Sequence, residues 1–424
     1  MIDLSLPLYS LNITTANKPF SLLVTSEIRS QLSTESKFLL NNANAFGYSC
    51  FVPRTGEWAL PWKTAVAPGY EMPDYNPTYS KTFSEVTDMR AAELKKIINE
   101  TGKKFVVFWS GGIDSTCCVT AILKNLTKEE LEHVSIAMSP DSMIENPNFF
   151  INHIRPNLKI LDSQENKYSD FVEQGYVCIP SDLGDALFGT ELGTKMYAQF
   201  AEIANKLPTE TRKLVEDLYY DVISDSVHYS QYKDLIIAYL NSILAKGKPV
   251  LRPGDETFGL MFYDKMVHNI NTSNVPIHSL HDFFWWIIFN VKFMHCALRS
   301  TYLYSFGENR RKVCEEGVFN WYGSIDYQLW SMANNNNGRK ICGTRQSSYK
   351  TVARDYIYEY DHNDWYYRYK LKIASLPIIN FRNWKKHYTD FSSRIGMNSN
   401  YDILRIGDPA VDQFIVNSLT NFKG

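Results

Sequence analysis

The stretch that most restricts this chain is Phe105-Val106-Val107-Phe108-Trp109 running directly into Ser110-Gly111-Gly112-Ile113-Asp114-Ser115. The apolar run is partly β-branched and shows no alternation, which is how a strand covered on both faces reads. Glycines end it, and Cys117 to Leu126 then places apolar residues at helical spacing. Strand, glycine turn and helix in that order form the repeating unit of an open parallel sheet. Val134 to Met138, Leu158 to Leu161 and Val177 to Pro180 supply further strands, with a helix expected over Asn148 to Ile154. The expected fold is therefore α/β, a doubly wound parallel sheet over about residues 100–195.

The flanks read differently. Residues 1–85 mix short apolar runs with turns such as Pro53-Arg54-Thr55-Gly56, a small strand-containing lead-in. Thr87 to Asn99 suits an amphipathic helix. From about 195 to 375 the pattern is mainly helical, with Met196 to Leu207, Glu210 to Val222 and Tyr232 to Leu244 as helices. Residues 376–424 form a weakly patterned tail. The most apolar window, Phe283 to Leu298, contains Asn290, Lys292 and His295 and is too short to span a bilayer, so it reads as a buried helix.

Charge restricts partners. Lys plus Arg total 44 against 46 acids, so no global field draws nucleic acid or anionic membrane, and only Arg310-Arg311-Lys312 and Lys385-Lys386 are locally basic. The 7 cysteines include no Cys-x-x-Cys pair, which argues against a zinc ribbon or a disulfide framework. Met1-Ile2-Asp3-Leu4 lacks the features of a signal peptide, and the cytoplasm is the expected location.

The glycine loop carries chemistry. Glycines 111 and 112 admit close approach of backbone amides to a ligand, and the following helix turns its free N–H groups and positive dipole end to the same place. Together they seat a phosphate, with Ser110, Ser115 and Thr116 as hydroxyl donors and Asp114 as a magnesium ligand. A capped helix start uses the same residue types, but the complete six-residue string after a strand is far more specific. Gly247-Lys248 is followed by Pro249, and no Gly-x-Gly-x-x-Gly occurs, so competing nucleotide loops are missing.

The string resembles the loop of the PP-loop ATP pyrophosphatases, which split ATP between its α and β phosphates. Ser181-Asp182-Leu183-Gly184-Asp185-Ala186-Leu187-Phe188-Gly189 extends the likeness to the synthetase domain of asparagine synthetase. Asp185, Phe188 and Gly189 fall on that family's aspartate, phenylalanine and first glycine; Asp182 replaces a glutamate, while Ala186 and Thr190 depart. Asp326 lies in an apolar run where that family has Pro-Phe-Leu-Asp, and at comparable spacing the run Ser348 to Arg354 resembles its Lys-x-x-x-Arg helix, with Lys350 and Arg354 expected on one helix face.

The resemblance covers about residues 85–360. It implies an AMP-forming ligase that uses ATP and Mg2+, with Asp114 and Asp185 as metal ligands. Lys350, Asp182 and Arg354 are its catalytic candidates: Lys350 balances phosphate charge and Asp182 handles an amine. The implied partners are a small-molecule or peptide carboxylate and ammonia or an amine. Ile2 stands where glutamine-using members expose a cysteine, so ammonia is expected free, from a separate supplying partner, or as an amine on the substrate, as in β-lactam synthetases and lasso-peptide cyclases.

Two other readings stay open. The loop also serves enzymes that modify tRNA or nucleobases, and Ala186 with Thr190 leaves room for a nucleotide-binding module without catalysis. His278 and His281 have no third metal ligand near them in sequence, and Trp285, Trp286 and Trp365-Tyr366-Tyr367 read as packing residues.

Overall fold

Four strands pair in parallel: β1 (Lys104–Phe108), β2 (Val134–Met138), β3 (Lys159–Asp162) and β4 (Tyr176–Ile179), in the spatial order β3-β2-β1-β4. In the register, Phe105 meets Val134 and Val177, and Ile136 meets Ile160. The computed structural model describes residues 8–9, 53–55, 64–65, 71–163, 168–188, 227–246, 258–293, 296–297, 317–334 and 350–369. The helices expected at 196–207 and 210–222, the basic groups at 310–312 and 385–386, and the tail 376–424 lie outside those residues, as does most of the lead-in 1–85.

The chain divides into two units, each discontinuous in sequence. The sheet unit comprises residues 82–182, 304–324 and 351–424, and the helical unit residues 1–81, 183–303 and 325–350.

In the sheet unit, both faces of the central strands are covered. Val106 and Phe108 pack with Ala137, Cys178, Tyr168, Phe171 and Val172. The Phe108 ring lies flat on Tyr168 with centroids 4.0 Å apart. Phe105 and Val107, on the opposite face by strand alternation, are equally buried. Burial of each such side chain stabilises by roughly 1.5–3 kcal/mol. Double coverage explains the unbroken apolar runs in the sequence.

The outer side of β4 is met by residues 317–319: Cys178 N–H donates to the Gly317 carbonyl, and Phe319 N–H to the Cys178 carbonyl, both at 2.8 Å. Arg90 fixes that segment. Its guanidinium lies 3.6 Å from the Phe319 ring centre and donates to the Asn320 and Trp321 carbonyls.

The helix expected over Thr87 to Asn99 spans Phe83–Thr101. Its earlier start follows from a capping box, in which Thr82 and Glu85 each accept from the other's backbone N–H. Its end follows from Gly102, with φ +63° in the left-handed region. Asp88 on this helix ties two others to it: Lys124 and Asn125 of the helix Ile113–Asn125 donate at 2.8 and 2.9 Å, and Tyr356 of the helix Thr351–Asp361 donates through its hydroxyl.

The helical unit contains Lys233–Lys246, Phe258–Thr272, Leu280–Trp286 and Ile325–Ala333, with a π-helical continuation over Ile287–Lys292. A two-residue parallel ladder pairs Leu8–Tyr9 with Thr64–Ala65. The apolar window near 283–298 is a buried helix where it is described. Trp285 and Trp286 are fully buried, and their indole N–H groups reach Leu187 O, Ser331 Oγ and Asn269 Oδ1 at 2.7–3.1 Å. Among the described residues no helix is long and apolar enough to cross a membrane.

The Asp88 junction yields a pH-dependent prediction. Burial alone would raise its carboxyl pKa, but bonds from Lys124, Tyr356 and Asn125 and the Lys124 charge outweigh that and hold it below the ordinary value. The folded state therefore favours the charged form; the stabilisation is complete above the unfolded pKa of about 3.9 and is lost as pH falls through the lower folded value. With a third of the side chain exposed, Asp88→Ala is expected to cost about 1–2 kcal/mol at pH 7. Urea unfolding at pH 7 and pH 3 checks this: the gap between wild type and variant should shrink at the lower pH.

Candidate active site

Strand order directs attention to one place in the sheet unit. From β1 the chain builds outward through β2 to β3, then returns to add β4 on the other side of β1. Ligands of open α/β sheets bind at the carboxyl ends of strands where the order reverses. The segments leaving β1 and β4 there are Trp109 to Gly112 and Pro180 to Asp182.

The β1 loop is held in one conformation. Gly111 has φ +73°, and a Cβ there would lie 2.4 Å from the Ser142 carbonyl oxygen and 2.7 Å from Glu145 Cβ. Only glycine fits both the angle and the contact. Gly112 is the N-cap of the helix Ile113–Asn125 and offers no side chain to the first turn. The end of the helix thus presents backbone N–H groups and positive dipole charge.

The serines lace the loop to itself. Ser115 Oγ accepts from Ser110 N–H at 3.1 Å and donates to Gly112 O at 3.2 Å, and Ser110 Oγ lies 3.1 Å from Ser115 Oγ. Ser110 and Asp114 are half-buried, while Ser115 and Thr116 are buried. Ser110 therefore marks the outward side of the loop, whereas one carboxylate oxygen of Asp114 is buried. Thr116 supports it from within: its hydroxyl accepts from Trp109 Nε1 at 3.1 Å and lies 3.3 Å from the Tyr366 hydroxyl.

Two tyrosines from distant segments grip loop carbonyls. Tyr366, in the short helix Asp364–Tyr369, donates to Gly111 O at 2.9 Å, and Tyr322 donates to Asp114 O at 2.9 Å. Burial pushes the Tyr366 phenol well above its ordinary pKa, so it stays a donor at any working pH. Asn146, also buried, has a side-chain amide nitrogen that meets no acceptor among the described residues, and its backbone nitrogen lies 3.3 Å from where a Gly111 Cβ would be. Sequence patterns did not single out Tyr322 or Asn146 and read Tyr366 only as packing, because the carbonyls the tyrosines grip lie more than 200 positions away.

The remaining candidates divide between the units. Asp182, half-buried, follows β4 in the sheet unit. Arg354, also in the sheet unit, is 3% exposed and donates to the Tyr367 carbonyl. Asp185 and Lys350 are in the helical unit, paired at 2.8 Å. Lys350 is almost wholly buried and lies 5.5 Å from the centre of the Phe188 ring, while Asp185 is 39% exposed.

One expectation is corrected here. Lys350 and Arg354 do not share a helix face: Lys350 has φ +54°, a left-handed conformation that cannot continue a right-handed helix, and the helix begins at Thr351. Asp326 accepts from Tyr79 and Lys81, both at 2.9 Å. Burial opposes ionisation there, but these bonds and the Lys81 charge outweigh it and hold the carboxyl below its usual range. His278 packs against the His228 ring at 5.2 Å, and among the described residues no three metal-ligating side chains gather.

Gly111→Ala combines left-handed strain with a backbone clash and should destabilise by about 2–5 kcal/mol. Gly102→Ala is the control. Gly102 has φ +63° but nothing within 4 Å of an added Cβ, so only the strain of about 1–2 kcal/mol applies. Denaturant unfolding of both variants measures the difference, which the contact with Ser142 accounts for.

The chain matches no family model, no curated protein and no solved structure.

Proposed function

We propose that this chain is an ATP-dependent ligase of the PP-loop type that adenylates a substrate carboxylate and passes the acyl group to ammonia or an amine. The observation that carries the reading is the loop Ser110 to Ser115, placed between a central parallel strand and a helix N-terminus at the reversal of strand order. Backbone amides and a positive helix end suit phosphate oxygens.

In the first step a carboxylate oxygen bonds to the α-phosphorus of ATP, and the bond to the bridging oxygen breaks to release pyrophosphate. In the second, the amine nitrogen attacks the acyl carbon, AMP leaves and the nitrogen loses a proton. The protein's work is to hold the reactants together, worth roughly 7–11 kcal/mol for well-oriented partners, and to meet developing charge with fixed dipoles. Magnesium, bound jointly by carboxylates and phosphates, would neutralise charge on the departing pyrophosphate. Asp114 and Asp185 are its ligands in this reading.

Lys350 supplies positive charge to the phosphates, and Asp182 orients or deprotonates the amine. The pairing of buried Lys350 with Asp185 at 2.8 Å supports the lysine role, because the carboxylate compensates a positive charge in a largely desolvated place.

Incubation with ATP, Mg2+, a panel of carboxylates and ammonia should yield AMP and pyrophosphate; carboxylate-dependent ADP and phosphate would overturn the proposal. Lys350→Ala is expected to lower turnover by about 10²-fold or more while ATP still binds. An unchanged rate would remove Lys350 from the chemistry. Nucleotide binding with no turnover on any carboxylate or nucleic acid would favour a binding module instead.

A further inference from the structure

Lys350 and Asp185 are matched in charge but not in access. The lysine side chain is 2% exposed and its ammonium lies 2.8 Å from Asp185 Oδ1, while the Asp185 side chain is 39% exposed. The Phe188 ring covers the ammonium from 5.5 Å, and Trp330 packs edge-on against that ring with centroids 5.7 Å apart. An ammonium so covered does not reach a ligand in this arrangement. A solute that approaches the pair meets the carboxylate first.

The two partners also differ in how they are held. Asp185 lies on the short helix Gly184–Phe188, whose Leu187 carbonyl accepts from Trp285 Nε1 at 3.1 Å and from Ser331 Oγ at 2.6 Å. Lys350 stands on a left-handed backbone, φ +54°, a strained state for a residue with a Cβ that persists only where its surroundings hold it. Its four-carbon stem lets the ammonium swing once the carboxylate lets go.

A carboxylate oxygen is also what a hard divalent cation takes as ligand. Such an ion on Asp185 carries twice the charge of the lysine and repels it at close range. One carboxylate therefore serves one cation or the other.

We propose that the Asp185–Lys350 pair is a cation-operated latch, in which Mg2+ at Asp185 displaces Lys350 and so makes the ammonium available to phosphate oxygens. The inference rests on the roles given to Asp185 and Lys350 in the ligase reading above. It adds an order of events, cation before lysine, that the buried position of Lys350 requires.

Acylation of the full chain with an N-hydroxysuccinimide ester, read by mass spectrometry without nucleotide, follows the exposure of each lysine. Lys350 should be protected without Mg2+ and labelled with it, and in Asp185→Asn it should be labelled in both conditions. Lys81, paired with Asp326 at 2.9 Å but already 43% exposed, is the internal control and should label equally throughout.

Mn2+ binding, read from the paramagnetic resonance of the unbound ion, is the second arm. Lys350→Met keeps the bulk of the stem without its charge and should tighten Mn2+ on the order of tenfold or more, as one charge-assisted hydrogen bond no longer competes. Adding Asp185→Asn should remove that gain, and Lys81→Met should stay within about twofold of wild type.

Lys350 that stays protected at saturating Mg2+ would overturn the latch, as would Mn2+ affinity in Lys350→Met that is unchanged, weaker or too low to detect. If Lys350→Met does not fold, as judged by circular dichroism, labelling of the wild-type chain decides alone. A latch that opens with Mg2+ while no carboxylate yields AMP would stand without the ligase reading; turnover with Lys350 still protected would do the reverse.

Discussion

The hydrogen bond from Tyr366 to the Gly111 carbonyl ties together features that otherwise look unrelated. Gly111 must be left-handed for the chain to turn sharply out of β1, and it must lack a Cβ because Ser142 and Glu145 close in on that side. A glycine so placed has freedom to rotate its peptide planes, and the buried phenol removes that freedom. Thr116, Trp109 and Tyr366 then form a small polar knot behind the loop, with the Trp109 ring stacked against Phe149 and Phe150. Each polar group in the knot has a partner, which is what makes its burial tolerable.

Aromatic residues make up 14% of the chain, and several of them serve this architecture in the same way. Trp109, Tyr322, Tyr366, Trp285 and Trp286 each bury a large ring while a polar edge reaches a specific backbone or side-chain acceptor. Such side chains give packing and orientation at once, because a ring has few rotamers and its polar atom lies at a fixed distance from the backbone. In the helical unit Lys350 uses a related economy: its ammonium is paired with Asp185 and faces the Phe188 ring, so a nearly buried charge stays compensated.

Much of the fold was legible in the sequence, because strands covered on both faces advertise themselves as unbroken apolar runs. Val134–Met138 has the expected bounds, and the other three strands begin one residue from theirs or end one residue away. The first long helix begins earlier than its apolar period indicates, since Thr82 and Glu85 cap it with polar groups. The loop was legible too, as glycines between a strand and a helix have a local cause. Lys350 was misplaced on a helix face, because side-chain spacing carries no information about a single left-handed residue.

Local physics in the sequence alone determined the parallel sheet, the glycine turn after its first strand and the helix whose N-terminus closes that turn. Side-chain period, apolar run length and glycine freedom act over a few residues and can be read from them. The tertiary structure decided what stands behind the loop and how Lys350 is compensated. Those outcomes depend on Tyr322, Tyr366 and Asp185, which lie 208, 255 and 165 positions from the groups they bond, and no local pattern encodes such a meeting.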